Sequence, residues 1–239
     1  MAAYRRIVTA CLAALLLAAA APAAQAGEPV VVELFTSQGC SSCPPADELL
    51  AELADRDDIV ALSLHVDYWD YLGWRDVFAR HEFTKRQIAY RDVAGERSIY
   101  TPQMVIHGER RVVGGRRDDV MAAIARAAMR PDAIKVVLSF RNGLLWADIT
   151  PLSAFPGAAV VWLVGYESAP APVKIKRGEN AGRMAPHRNV ARDWMKIGEM
   201  TSDAPAHLNV PMPQGTDAVA VIVQHGRVGP VLGAAKLRY

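Results

Sequence analysis

The chain has 239 residues, 51% hydrophobic and 22% charged, with a formal net charge of +2. That composition excludes a disordered or low-complexity protein, and the length suits one large domain or two smaller ones with real cores. A nearly balanced charge lacks the basic face that nucleic acid requires, so no nucleic-acid partner is expected.

The N-terminus reads as a signal peptide over residues 1–26. Arg5 and Arg6 precede the uncharged apolar run Ile7 to Ala21, and Ala24-Gln25-Ala26 has the small-x-small pattern of a cleavage site before Gly27. The run is too short for a membrane span, so no stable membrane insertion is expected after cleavage, and the location is read as periplasmic or secreted. Cleavage discards Cys11 and leaves Cys40 and Cys43. In an oxidising compartment a lone pair at this spacing is a redox dithiol or a tight local disulfide. Metal binding is a third use, with His65 and His107 the nearest further ligands, at no recognised ligand spacing.

Val30 to Phe35 is apolar and β-branched at its start, as in a strand covered on both faces. After Cys40-Ser41-Ser42-Cys43-Pro44-Pro45, the spacing of Ala46, Leu49, Leu50 and Leu53 predicts a helix to about Asp57. Ile59 to Val66 is a second strand, and parallel pairing is the default for such a unit. An aromatic-acidic loop follows, Asp67-Tyr68-Trp69-Asp70-Tyr71-Leu72-Gly73-Trp74, then a helical stretch from Asp76 to about Tyr90. Tyr100-Thr101-Pro102-Gln103 leads into a short strand with Arg110 to Val113 as its hairpin mate, and Asp118 opens a helix.

After Pro131 the period changes to strand alternation. Ile134 to Phe140 and Leu144 to Ile149 flank the hairpin signal Asn142-Gly143. Further strands are expected at Ala159 to Tyr166, Val173 to Lys176 and Arg192 to Gly198, with Ala218 to Gln224 and Val228 to Leu237 as a closing hairpin. Residues 177–190 read as a long polar loop. The expectation is a domain over 27–131 with a helical insertion at about 67–100, and a mostly antiparallel β domain over 132–239.

Strand, Cys-x-x-Cys, helix, strand, then Thr-Pro before a hairpin and helix resembles the thioredoxin superfamily, over residues 29–130. Phe35-Thr36-Ser37-Gln38-Gly39-Cys40-Ser41-Ser42-Cys43-Pro44-Pro45-Ala46-Asp47 resembles the opening of an uncharacterised family of secreted bacterial thioredoxin-like proteins. The segments His65 to Trp74, Tyr100 to Gln103 and Arg177 to Arg183 resemble its other signatures. The resemblance implies an α/β, thioredoxin-like fold and a thiol–disulfide oxidoreductase that needs no bound cofactor. Cys40 would be the attacking thiol at the positive end of a helix, and Cys43 the resolving one. Pro102 would be the cis-proline that, with Thr101, docks substrate, and Glu33 the buried carboxylate that relays a proton, with a plain salt bridge the equal alternative for Glu33. Trp69, Tyr71, Trp74 and Gln103 are candidates for contacting substrate. The implied partners are cysteine-containing exported proteins and a membrane or soluble redox partner. The alternatives are a binding scaffold whose disulfide only braces the turn and, behind it, a metallochaperone. An active dithiol calls for an accessible Cys40, a brace for a buried one. Pro44-Pro45 after the pair, and Gly39 in place of the usual tryptophan before it, depart from thioredoxin.

Overall fold

The structure is a computed structural model that describes residues 28–185 and 187–239. The expected signal peptide, residues 1–26, lies outside the described residues.

The first strand, β1 (Val30–Thr36), is buried along its whole length. Helix α1 (Pro44–Ala54) returns the chain to β2 (Ile59–His65), which pairs parallel with β1 from Val30↔Ile59 to Thr36↔His65. Parallel strands bury both faces, and this demands the continuous apolar runs seen in the sequence. Pro44 and Pro45 open α1, where a missing N–H costs little.

Helix α2 (His81–Ala94) starts five residues later than the sequence pattern suggests. The chain before it is held extended at Arg80, and Asp76 is committed to partners elsewhere, as described below. Strands β3 (Gln103–Ile106) and β4 (Arg110–Val113) form the expected hairpin, β3 antiparallel to β1, and α3 (Arg117–Ala128) follows.

Beyond residue 131 the described residues form strands joined by turns and loops. The strands are β5 (Ile134–Arg141), β6 (Leu144–Pro151), β7 (Ala159–Glu167), β8 (Val173–Lys174), β9 (Met184–Ala185), β10 (Val190–Met200), β11 (Ala206–Pro211), β12 (Ala218–His225) and β13 (Val231–Arg238). The sequence pattern did not point to β11.

Eight strands share one sheet in the order β13-β12-β7-β10-β2-β1-β3-β4, and β11-β6-β5 form a second sheet. The protein is therefore mixed α/β, with a large, mostly antiparallel sheet and few helices. The expected division near residue 131 falls between α3 and β5, yet strands from both sides of it meet in the large sheet. The joint is β10, antiparallel to β7 over its length and parallel to β2 at Val190↔Ser63.

Three cores follow from this arrangement. One face of the large sheet packs α1 and α3 around Val32, Leu34, Leu50 and Ile124. Further along, the smaller sheet closes over Leu145, Ile149, Leu163 and Val221. The opposite face is shared by both parts of the chain: Val31 and Phe35 of β1 join Phe83 and Tyr90 of α2 with Trp162, Tyr166 and Ile222. Among the described residues, no helix is long and apolar enough to cross a membrane.

Candidate functional site

The side chains of β1 alternate between the two faces. Val30, Val32, Leu34 and Thr36 face α1, whereas Val31, Glu33 and Phe35 face α2.

Cys40 and Cys43 form a disulfide, with Cα atoms 5.4 Å apart. Both residues are buried, at 2% and 0% exposure. The expectation that an active pair has an accessible first cysteine is not met at residue level. Nor does the pair lie in the first helical turn: Cys43 is the N-cap and α1 begins at Pro44. The reason is chemical, since two prolines can open a helix but cannot be preceded by further helical turns at low cost. They also remove two of the amide donors a helix start would otherwise present, so Cys40 has less electrostatic support than the resemblance implies.

The Thr101–Pro102 peptide bond is cis. Ser42 Oγ donates to the Thr101 carbonyl at 3.4 Å and lies 3.5 Å from Cys40 Sγ. Trp69 bridges the two loops. Its indole N–H donates to Thr101 Oγ1 at 2.8 Å, and a Cβ placed on Gly39 would lie 3.2 Å from Trp69 Cβ. Gly114 lets the β4 end approach Pro102, whose carbonyl accepts from the Gly114 amide.

Glu33 is not near this chemistry. Fully buried on the α2 face, it accepts from Arg86 at 2.6 and 2.8 Å and from the Tyr90 hydroxyl at 2.6 Å. Arg86 also donates to Gln224 Oε1, and its guanidinium stacks 3.8 Å from the centre of the Trp194 ring. Burial opposes the charge on Arg86, but Glu33 and Tyr90 hold its pKa above the ordinary value. Glu33 thus ties β1, α2 and β12 together as a buried salt bridge, on the face of β1 away from α1. Gln103 is likewise buried and accepts from Gln87 Nε2 at 3.0 Å. Tyr71, at 78% exposure, turns to solvent.

The residues that do gather around the disulfide lie on the α1 face. Asp47, one helical turn after Cys43, accepts from Thr36 Oγ1 at 2.8 Å, and burial pushes its carboxyl up to about 7. Asp76 accepts from the Gln38 amide and pairs with His65 Nδ1, both at 2.7 Å. Burial opposes its charge, but His65 and the Gln38 and Phe78 amides hold the carboxyl below the ordinary range. His65, His187 and Phe78 meet edge to face, the two imidazoles 4.6 Å apart. Burial, with His65 beside it, drives the His187 imidazole down to about 3, which leaves it neutral.

The second part of the chain reaches this site through the turn between β8 and β9. Asn180 Nδ2 donates to the carbonyls of Gln38 and Cys40, at 3.0 and 2.8 Å. Gly178 packs against Trp74, whose indole N–H donates to Gln38 Oε1 at 2.9 Å. A cavity of about 220 Å³ opens here, lined in part by Gln38, Pro44, Asp47, Asn180 and His187.

Buried atoms with no partner in the protein concentrate in this region: Gln38 Nε2, Ser63 Oγ, His65 Nε2, Asn180 Oδ1, His187 Nε2 and Asn189 Oδ1. Of the two histidines considered as metal ligands, His65 commits Nδ1 to Asp76, whereas His107 sits at the β3–β4 turn, accepting from the Val31 amide. Among the described residues, no three His, Cys, Asp or Glu side chains gather as a metal site.

Sequence reasoning missed Asp47 and Asp76 as site residues, and met Asn180 and His187 only as members of a polar run weighed against an anion-binding use. Two weak signals were present: a histidine ending an apolar strand at His65, and the polar run Arg177 to Arg192 with no other use.

Fold and site together define a mixed α/β protein with a buried disulfide flanked by an unsatisfied polar cavity. The chain belongs to the family described as "Protein of unknown function (DUF1223)", which matches residues 31–224. It is similar to the X-ray structure of a protein from Agrobacterium tumefaciens solved as a structural genomics target. The two are 31% identical, the match covers 90% of this chain and 96% of that one, and the TM-score is 0.76. HBP35 of Porphyromonas gingivalis is similar in fold, with a TM-score of 0.62 at 13% identity over 89% of this chain and 75% of that one. No curated protein matches the sequence.

Proposed function

We propose that the protein is an exported thiol–disulfide oxidoreductase that exchanges the Cys40–Cys43 disulfide with cysteine-containing proteins. In this reading residues 27–131 are thioredoxin-like. The parallel β1-α1-β2 unit, the β3–β4 hairpin and α3 support it, and residues 67–100 form the insertion. The leader pattern at residues 1–26 supports a location in the periplasm or outside the cell. A membrane or soluble redox partner resets the pair.

The observation that carries the reading is the setting of the disulfide. It stands beside the Thr101–Pro102 loop, with a carboxyl that titrates near neutrality one helical turn after Cys43. In the reduced protein the Cys40 thiolate attacks a substrate disulfide, and one substrate sulfur leaves as thiolate. Cys43 passes its proton to Asp47 and attacks the Cys40 sulfur. The second substrate thiolate leaves and the Cys40–Cys43 bond re-forms. Run in reverse, the same steps donate the disulfide to a substrate dithiol. Asp47, and not Glu33, is the proton acceptor in this scheme, because Glu33 lies on the other face of β1. Thr101, Pro102, Trp69 and Trp74 shape the approach to Cys40.

One observation favours a second reading, a binding scaffold with a bracing disulfide: Cys40 is only 2% exposed. Exchange therefore requires Ser42 and Trp69 to yield. Trapping separates the two readings. A Cys43→Ser protein should capture a cysteine-bearing protein as a mixed disulfide at Cys40, faster than a free thiol does. Reaction no faster than a free thiol would establish the scaffold.

A further inference from the structure

The orientations of two buried amides in the cavity beside α1 are fixed by their other bonds. Gln38 Oε1 accepts from the Trp74 indole, so Nε2 is the free end, a donor. Asn180 Nδ2 donates to two main-chain carbonyls, so Oδ1 is the free end, an acceptor. Both residues are nearly inaccessible, at 2% and 3%, and both line the same cavity of about 220 Å³. Leaving such atoms unpaired inside a protein is costly, which marks them as built for a partner.

The surroundings define that partner's chemistry. Among the described residues the buried walls hold no cation to receive an anion, and Asp47 and Glu48 on the lining repel one. Arg183 is exposed at the rim, His187 is neutral, and the α1 start has no N–H at Pro44 or Pro45. The next two amides, of Ala46 and Asp47, are already bonded to the Cys43 carbonyl. A third lining residue, His187, also has a buried nitrogen without a partner, Nε2, and the Gln38–Asn180 pair by itself fits a neutral group with one acceptor and one donor.

We propose that this cavity is a recognition subsite for an amide group, whose carbonyl accepts from Gln38 Nε2 and whose N–H donates to Asn180 Oδ1. The occupant lies next to Pro44, on the β2 side of the disulfide, whereas Pro102 lies on the β3 side. The β-rich part of the chain thereby contributes directly to recognition, through Asn180. The subsite does not depend on the disulfide turning over, and its test uses no redox readout.

The test is a titration of the ¹⁵N-labelled, oxidised protein with acetamide, acetone and acetate, followed by NMR at the Trp74 indole and the Asn180 side-chain amide. Acetamide should shift both signals saturably and bind about fivefold more tightly than acetone, which accepts but cannot donate. Acetate should not compete. N-methylacetamide separates two sources of the amide: binding equal to acetamide identifies a main-chain peptide group, weaker binding a side-chain carboxamide. Gln38→Glu keeps the acceptor for Trp74 but removes the donor, and should abolish the preference for acetamide. The wild-type comparison stands even if that variant does not fold. Equal binding of acetone and acetamide, or cavity signals that do not move, would mean that the cavity holds solvent only and overturn the proposal.

Discussion

On the α2 face of β1, Glu33 is enclosed by Arg86, Tyr90 and Gln224, and the atoms of that network satisfy one another. On the α1 face, only a few residues away, Gln38, Ser63, His65, Asn180, His187 and Asn189 each leave a buried polar atom without a partner. Both faces are buried and both carry ionisable groups, so burial and charge alone do not distinguish them. Satisfaction does. A closed network holds elements in place, whereas an open one beside a disulfide is disposed to take part in binding and proton movement.

The comparison is broken most forcefully at Glu33. Glu33→Ala leaves the Arg86 charge buried without its counter-ion and should cost about 3–5 kcal/mol in urea unfolding. The disulfide's potential should change little in the surviving folded protein. A large shift in potential without loss of stability would return Glu33 to the redox site.

Asp47 comes next. Its folded pKa is raised from 3.8 to about 7. The folded state therefore holds the proton more tightly, and its contribution is present below pH 4 and lost as pH rises to 7. Asp47→Asn should remove that loss. Discounted for the side chain's partial exposure, the variant should be more stable than wild type by about 2 kcal/mol at pH 8, and scarcely different at pH 4. His187 has the opposite sign. Its depressed pKa favours the folded state above about pH 6.5 and loses stability as pH falls towards 3. His187→Gln should flatten the acid limb of a stability profile, and an unchanged limb would show that His187 is not buried in solution.

Trp69→Ala removes the bridge to Thr101. It should speed reduction of the disulfide by dithiothreitol by about fivefold, the worth of one hydrogen bond. An unchanged rate would mean that Trp69 does not limit access. The smallest effect belongs to the surface. Arg117 and Glu52 pair at 2.6 Å with both side chains more than half exposed, and Arg117→Ala should leave the melting temperature unchanged in a thermal scan.

Legibility from sequence follows the same physics. The β1-α1-β2 unit and the β5–β6 hairpin were readable because unbroken apolar runs, helical spacing and Asn142-Gly143 are local signals. Strand β10 was only partly readable, since register shifts between Ala191 and Asp193 and between Lys196 and Gly198 break its alternation. The disulfide was visible as a spacing. Its polar surroundings were not, because Gln38, Asp76 and Asn180 meet across 38 to 142 residues of sequence separation. Glu33 stayed undecided between relay and salt bridge for a related reason: strand position was legible, but the face on which Arg86 pairs with it was not.

The central claim, that the Cys40–Cys43 bond turns over, is tested most directly by its equilibrium reduction potential, measured in glutathione buffers with thiol trapping. The account predicts a value between about −120 and −270 mV, the range spanned by disulfide donors and thioredoxin-type reductants. A bond that resists reduction below about −300 mV would contradict it and leave a structural brace.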